Sequence, residues 1–349
     1  MLKSLKAIRK RWRRFVNAIR HVLALPDQVN ALRRQIGDQR REAWKIHRLV
    51  DAHSQEVRLL HKMATLPPEG LWRKPPPPIV VEPARGLLNF STLCRQQDFD
   101  QPWVPYWATR LGVPFRYHRK LWEHAFICQA LWERGCLESG SRGLGFGCGS
   151  EPLPAHFASR NCHVVGTDMA ADAASALGWI ETEQHAVGKE SLRHPGVCPD
   201  DIFDRMVTFQ PCDMNQIPAD FTDFDFCWSS CALEHLGSIQ QGLDFIERSL
   251  GCLKPGGWAV HTTEFNLSST VETLDHRDTV LFRCFDLMVL ARHLAARGHT
   301  MVPLDFTPGT GVVDRYIDVA PFLNEPSLVL ALEGFATTSF GIIVQRGQA

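Results

Sequence analysis

Apolar positions in the first sixty residues fall at helical spacing. Leu5, Ile8, Trp12, Phe15, Ile19, Val22 and Leu23 recur along one side, and Lys6, Arg9, Lys10, Arg13, Arg14 and Arg20 fill the other faces. This is the pattern of a basic amphipathic helix. From Val29 the spacing sharpens to steps of three and four, through Leu32, Ile36, Gln39, Ala43, Ile46, Val50, His53, Val57 and Leu60. A 3.5-residue repeat of that length predicts a coiled coil, with Gln39 and His53 as polar seam positions that set register. Prolines at 67, 68, 75–78 and 83 then exclude helix and central strand, so residues 65–84 read as a semi-rigid linker. Lys120 to Arg134 is amphipathic again, with Leu121, Ala125, Cys128 and Leu131 to one side.

Beyond residue 141 short apolar runs alternate with helical patterns. A short strand with Leu144 and Phe146 on its buried side comes first, and Cys162–Val165, Val207–Phe209, Asp223–Trp228 and Trp258–Val260 also read as strands. Helices are predicted after Pro152, over Ala170–Leu177, Ile239–Leu253 and Arg283–Gly298, with a polar loop from Gly178 to Asp204 and a turn at Lys254-Pro255-Gly256-Gly257. Leu328–Leu332 and Phe340–Val344 read as an antiparallel hairpin through Glu333-Gly334. Strands alternating with helices predict an α/β domain with a mostly parallel sheet.

Charge divides the chain. Its formal net charge is zero, yet residues 1–64 carry 16 Lys and Arg against 5 Asp and Glu, and the remainder 22 against 33. The basic arm suits an anionic membrane surface or protein packing better than nucleic acid, because the part that follows is acidic. Eleven cysteines without C-x-x-C pairs point to reduced thiols in a cytoplasmic setting. No apolar run approaches the roughly 20 residues of a membrane span.

Candidate chemistry concentrates between Arg142 and Asp168. Gly145, Gly147 and Gly149 alternate after a strand, Pro152 and Pro154 open a helix, and Asp168 closes the next strand. An acidic residue about 20 positions beyond a glycine turn is placed to accept hydrogen bonds from ribose hydroxyls. The G-x-G-x-x-G pattern of dinucleotide sites fails in both frames, at Ser150 or Pro152, and Glu151 would repel a pyrophosphate. A nucleoside ligand without phosphates fits better, and S-adenosylmethionine is one.

The sequence here resembles the class I S-adenosylmethionine-dependent methyltransferases, whose first motif runs acidic-x-Gly-x-Gly-x-Gly. Gly145 stands in place of the acidic residue and Glu151 in place of the last glycine. Glu151 either supplies the missing carboxylate or complements the helix dipole. The resemblance, over about residues 118–345, implies a Rossmann-like sheet ending in an antiparallel hairpin. It implies cofactor contacts from Gly145, Phe146, Gly147, Cys148, Gly149, Glu151, Asp168, Met169, Asp213, Met214 and Ser229. Asp213 is expected at the adenine amino group and Ser229 beside the sulfonium. Pro211-Cys212 resembles the Pro-Cys nucleophile of cytosine C5 methyltransferases but follows the wrong strand, so Cys212 is expected to be a small buried residue. An L-E-H turn places His235 after the fourth strand, and the family's K-P-G-G turn precedes the fifth, which leads to His261, Glu264 and Asn266.

Four parts follow: residues 1–64 a basic helix and coiled coil, 65–84 a linker, 85–140 an aromatic cap, and 141–349 the methyltransferase domain. His235 and Glu264 are the candidates for the base that removes an acceptor proton. Within the cap, Trp103, Tyr106, Arg116, Tyr117 and His118 are the substrate candidates, with Asn266 beyond the fifth strand, and most other rings are expected to fill the core. No H-E-x-x-H pattern joins His235, His261 and Glu264, so no metal is expected. R-K-L-W-E, G-F-G-x-G-x-E-P-L and T-T-E-x-N together resemble bacterial methyltransferases associated with glycosyltransferases and surface-polysaccharide synthesis. That implies O-methylation of a sugar in a glycan or its precursor, by a cytoplasmic enzyme gathered at the inner membrane face. A small-molecule or lipid methyltransferase and a non-catalytic scaffold are the alternatives. The arm is expected to make the whole chain sediment as a homo-oligomer through residues 29–60 and bind anionic vesicles through residues 1–25. A monomer indifferent to such vesicles in analytical ultracentrifugation and flotation would remove both expectations.

Overall fold

The computed structural model describes residues 65–66, 69–79, 81–170, 185–320, 322 and 325–348, with isolated helical positions such as Glu42 and Lys45 before them. The basic helix and, apart from isolated positions such as Gln39, Ala43 and Leu60, the coiled-coil seam lie outside the described residues, as does all but the first residue of the helix expected from Ala170. Residues 1–62 and residues 63–349 form two compact units. The second carries everything below.

It opens with a short helix, α1 (Glu69–Trp72), that seats Trp72 edge-on against Tyr117 with ring centroids 5.9 Å apart. The proline stretch after it is irregular and largely exposed. Then come β1 (Ser91–Leu93), α2 (Gln96–Phe99), α3 (Trp103–Arg110) and α4 (Arg119–Glu133). His118 starts α4, its Nδ1 accepting the Lys120 N–H at 3.1 Å. The nucleoside-type unit follows as β2 (Arg142–Phe146), α5 (Leu153–Ser159) and β3 (His163–Asp168). The expected polar loop before residue 204 instead holds a 3-10 turn, Lys189–Leu192, and α6 (Asp200–Met206). Asp200 and Asp201 lie in the first turn of that helix, where acidic groups complement its dipole. Next are β4 (Val207–Pro211), β5 (Phe224–Ser230), a 3-10 turn Leu233–His235, α7 (Ile239–Leu250), β6 (Leu253–Asn266) and α8 (Cys284–Ala296). Lys254-Pro255-Gly256-Gly257 is no free turn but the irregular start of β6, with Gly256 at φ +80° and a register shift against β5. Short strands β7 (Thr300–Met301), β8 (Leu304–Asp305) and β9 (Ile317–Asp318) precede β10 (Val329–Leu332) and β11 (Phe335–Gln345).

The sheet order is β4-β3-β2-β5-β6-β11-β1-β8. The first five strands are mutually parallel, and β11 returns antiparallel to β6 and to β10, giving the hairpin expected from the sequence. This is the Rossmann-like sheet of class I methyltransferases, with β1 and β8 added beyond β11.

Each strand sends alternate side chains to opposite faces. Phe226 and Trp228 of β5 and Val260 of β6 join the core under α4 and α5. Cys227 and Ala259 join the other core, with Phe245 and Ile246 of α7. The residues expected to form a cap over the site are mostly interior: Phe99, Trp103, Trp107, Tyr117 and Trp122 are all at most 2 % exposed. Helix α4 is a layer of the fold, lying so close to the sheet that Phe126 occupies the space where a side chain at Gly341 of β11 would stand. A Cβ at Gly341 would meet the Phe126 ring at 2.2 Å. Gly341→Ala is therefore expected to destabilise the unit by about 1–3 kcal/mol through overpacking, read as a lower urea midpoint at unchanged slope.

Candidate functional site

The parallel strands change direction of succession at β2, with β3 to one side and β5 to the other. Ligands of open α/β sheets bind beyond the carboxyl ends of the strands at such a point. A cavity of about 370 Å³ lies there. Its floor is the turn from Gly147 to Pro152, where Gly147 and Gly149 adopt φ +58° and +53°. Only glycine takes that conformation without strain, and a Cβ at Gly147 would also lie 2.8 Å from that of Ala232. The turn is tied to β3 by the Cys148 N–H donating to the Thr167 carbonyl at 2.9 Å and by the Thr167 hydroxyl donating to the Gly145 carbonyl at 2.8 Å.

Asp168 closes β3 and lines the cavity. One carboxylate oxygen accepts from the N–H groups of Gly149 (3.0 Å) and Ala186 (2.9 Å), the other from Met169 (2.8 Å). The acidic group thus braces the glycine turn and stands where a ribose diol donates. Met169, Met214 and Leu236 add apolar or polarizable surface suited to a flat base. His185 lines the same cavity and donates from Nε2 to the Met169 carbonyl at 2.7 Å, which leaves its buried Nδ1 an acceptor without a partner among the described residues. These groups fit an adenosine-type cofactor.

Glu151, at the exit of the turn, has a side chain only 8 % exposed and lines the cavity. The Trp228 indole N–H donates to its Oε1 at 2.7 Å. Burial pushes its carboxyl up to about 8, against the pull of that hydrogen bond and of Lys120. Lys120 and His124, on one face of α4, form the facing wall. Burial takes the His124 imidazole down to about 4, so it faces the cavity uncharged at neutral pH. Ser230, Cys231 and His235 complete the wall after β5. Cys231 sits at φ +46°, an unusual conformation for a residue with a side chain, and its N–H donates to the Thr262 carbonyl at 3.0 Å.

The cavity gathers Gly147, Cys148, Gly149, Glu151, Asp168, Met169, Met214 and His235 among the residues expected from the sequence. The others lie elsewhere, for identifiable reasons. Gly145 faces Trp228, and Phe146 turns to the opposite core against Phe245 at 5.1 Å. Ser229 points away from the cavity, bonding its hydroxyl to Nδ1 of His261 at 2.8 Å beneath α7; the next residue, Ser230, lines the cavity. Asp213 is exposed and accepts the Asn215 N–H at 2.8 Å, while its neighbours Cys212 and Met214 face inward. His261 is enclosed by Ser229, Ser249 and Phe245, and burial lowers its imidazole to about 3. Asn266 organises the following loop by accepting the N–H groups of Ser268 and Ser269. In the cap, Tyr106 packs on Trp107, Tyr117 on Phe99, and Trp103 is interior. Arg116 is exposed, and His118 is the N-cap of α4, its imidazole lowered to about 4 by burial and by Arg116 and Arg119.

Glu264 belongs to a buried ionic network. Arg119 pairs with Glu264 and, at 3.1 Å, with Glu123; Lys120 pairs with Glu123 at 2.9 Å. Thr337 donates to Glu264 at 2.9 Å and Ser339 to Glu123 at 2.5 Å. Burial alone would raise the Glu123 carboxyl, but Lys120 and Arg119 outweigh it and hold it at about 2. Cys231, Glu234 and Glu264 bring possible metal-ligating atoms within 4.8 Å of one another. Arg119 pairs with Glu264 there, and Thr263 donates to Glu234 at 3.2 Å. Lys120, His124, His185, Ser230 and Cys231 were not expected at the site. The i,i+4 spacing of Lys120 and His124 was the available signal, hidden by reading α4 for its apolar side alone.

A family model described as a methyltransferase domain matches residues 144–261. No curated protein matches the sequence. Similar solved structures include an S-adenosylmethionine-dependent methyltransferase from Methanosarcina mazei, at 16 % identity over 62 % of this chain and 96 % of that one, with a TM-score of 0.37. Another, from Mesorhizobium loti, is 14 % identical over 62 % and 98 % of the two chains, with a TM-score of 0.36. The magnesium protoporphyrin IX methyltransferase of Synechocystis with bound S-adenosylmethionine is 12 % identical over 65 % and 79 %, with a TM-score of 0.37. The matched stretch is similar to a methyltransferase domain, and its sheet order agrees with that match.

The two sets of residues make contrasting predictions. Asp168→Ala is expected to weaken S-adenosylmethionine binding at least about tenfold, the loss of charge-assisted hydrogen bonds. Ser229→Ala, on the far face of β5, is expected to leave the affinity unchanged. Isothermal titration calorimetry of both variants checks the pair.

Proposed function

We propose that the chain transfers the methyl group of S-adenosylmethionine to a hydroxyl of a sugar in a glycan or glycan precursor. The observation that carries the hydroxyl acceptor is the setting of His235. Its Nδ1 bonds the Asp278 carbonyl at 2.7 Å, which places the ring proton on Nδ1 and the basic lone pair on Nε2. The residue lines the cavity together with Ser230 and Cys231. In-line displacement at a sulfonium methyl needs mainly alignment of nucleophile and methyl. A hydroxyl nucleophile also needs a base, and an imidazole is a side chain suited to that task. The alternative base, Glu264, commits its oxygens to Arg119 and Thr337 and does not line the cavity.

Support for a sugar comes from sequence. The R-K-L-W-E and T-T-E-x-N stretches resemble methyltransferases associated with surface-polysaccharide synthesis, and no N-P-P-Y-type tetrapeptide of amino methylation follows β5. No helix among the described residues is long and apolar enough to cross a membrane. The basic arm and heptad seam suit an oligomer held at the inner membrane face, where glycan precursors are built.

Transfer of labelled methyl from S-adenosylmethionine to cell-surface glycan fractions tests the reading directly. With an accepted substrate in hand, His235→Ala is expected to lower kcat by about 10²- to 10⁴-fold while cofactor affinity stays as it was. Turnover that survives the substitution would remove His235 as the base.

A further inference from the structure

We propose that Glu151 is the counter-ion for the α-ammonium of the cofactor's methionine moiety, taking over a charge that position 145 cannot carry. This rests on the reading of the cavity as an S-adenosylmethionine site.

Three observations converge on Glu151. The first is steric. The face of β2 under α4 and α5 is covered at Gly145 by the Trp228 indole, and a Cβ there would lie 2.4 Å from Cζ2 and 2.8 Å from Cε2 of that ring. No carboxylate fits at 145 while Trp228 stands there. The second is a hydrogen bond. The same indole delivers its N–H to Glu151 Oε1 at 2.7 Å and so holds a carboxyl at the exit of the glycine turn. The residue that displaces an acid from one position thereby fixes an acid at another.

The third is electrostatic. Among the described residues no lysine or arginine pairs with Glu151: Lys120, across the cavity, pairs with Glu123. The nearest basic group is His124, with Nε2 3.7 Å from Oε2, and burial keeps it neutral. Lys120, Glu123 and His124 face Glu151 from α4, and Asp168 from the end of β3; the thiols of Cys128 and Cys148 nearby are neutral, pushed far up by burial. A nearly buried carboxyl without a cation holds its proton, as the rise to about 8 reflects. A buried acid lining a ligand cavity and short of a cation marks the place for a cationic ligand group.

The remaining parts of the cofactor identify that group. Asp168 takes the ribose, and Met214 and Leu236 form the apolar surface for the base. The amino-acid tail is left for the far end of the glycine turn, where Glu151 stands. Its ammonium is a hydrogen-bond donor that a carboxylate can accept. The sulfonium has no N–H or O–H to give. Binding then exchanges a proton: the carboxyl releases H⁺ to solvent and the carboxylate pairs with the incoming ammonium. Below about pH 8 the empty site is protonated and binding releases close to one proton; the release fades as pH rises through that value.

Calorimetry of the full chain and of Glu151→Gln with three ligands tests this. S-adenosylmethionine and S-adenosylhomocysteine carry the ammonium, and 5′-methylthioadenosine lacks it. Titrations at pH 7 in two buffers of different ionisation enthalpy count the protons. Glu151→Gln keeps an acceptor for Trp228, and thermal unfolding verifies its fold. The expected result is a loss of about 10- to 100-fold for the first two ligands, unchanged affinity for the third, and disappearance of the proton release. Affinities of the variant that match those of the unaltered chain for all three ligands, or an equal fold-loss for all three, overturn the proposal. So does the absence of proton release from the unaltered chain at pH 7, a measurement that does not depend on any variant folding. If the unaltered chain binds none of the three, the cofactor reading itself fails, and this inference with it.

Discussion

The indole of Trp228 lies across strand β2 where Gly145 has no side chain, and the cleft is arranged around that contact. Phe226 makes the same kind of approach two residues earlier, with a Cβ at Gly143 only 2.4 Å from its ring. Two glycines and two large rings thus interlock across β2 and β5. The gain is dispersion and burial in a core without room for another carbon. One outcome is positional. With Phe226 and Trp228 on the side of α4 and α5, strand alternation sends Ser229 beneath α7 and brings Ser230 to the cavity.

Beneath the cleft the fold is joined by charge as well as by apolar packing. Arg119 and Lys120 open α4, Glu264 comes from β6, and Thr337 and Ser339 come from β11. Such charges are costly to remove from water and stay ionised only because each has an opposite partner and hydrogen bonds. Glu123 shows the balance: its surroundings hold it ionised although it is completely buried. Glu151 is the converse, a carboxyl whose burial outweighs the pull of the Trp228 hydrogen bond and of Lys120. Two acids on neighbouring elements thus differ in protonation through their partners alone.

Much of this was legible in the chain. The order of strands, the glycine turn, Asp168 and the terminal hairpin follow from local patterns whose period and spacing are short-range properties. What stayed hidden was which way a side chain faces. Ser229 and Ser230, or Asp213 and Met214, are adjacent, and choosing between them needs the register of a neighbouring strand. Tyr106, Tyr117 and His118 looked like ligand groups because aromatic and basic residues alternate there. Their partners Trp107, Phe99 and the Lys120 N–H show them to be structural. Glu264 looked like a base because its partner Arg119 is 145 positions away in the chain, joined only by folding.

One wall of the cleft comes from α4, and that helix is also interior to the domain, with Phe126 pressed on Gly341 and Trp122 stacked on Phe126 at 4.8 Å. A wall built this way does not swing aside to admit a guest. It also restricts the routes by which the protein could acquire a new acceptor over evolution, because exchanges along α4 disturb the foundations along with the doorway. Diversification would be cheapest at the opposite rim, where His235 meets the loop of Asp278 and Thr279.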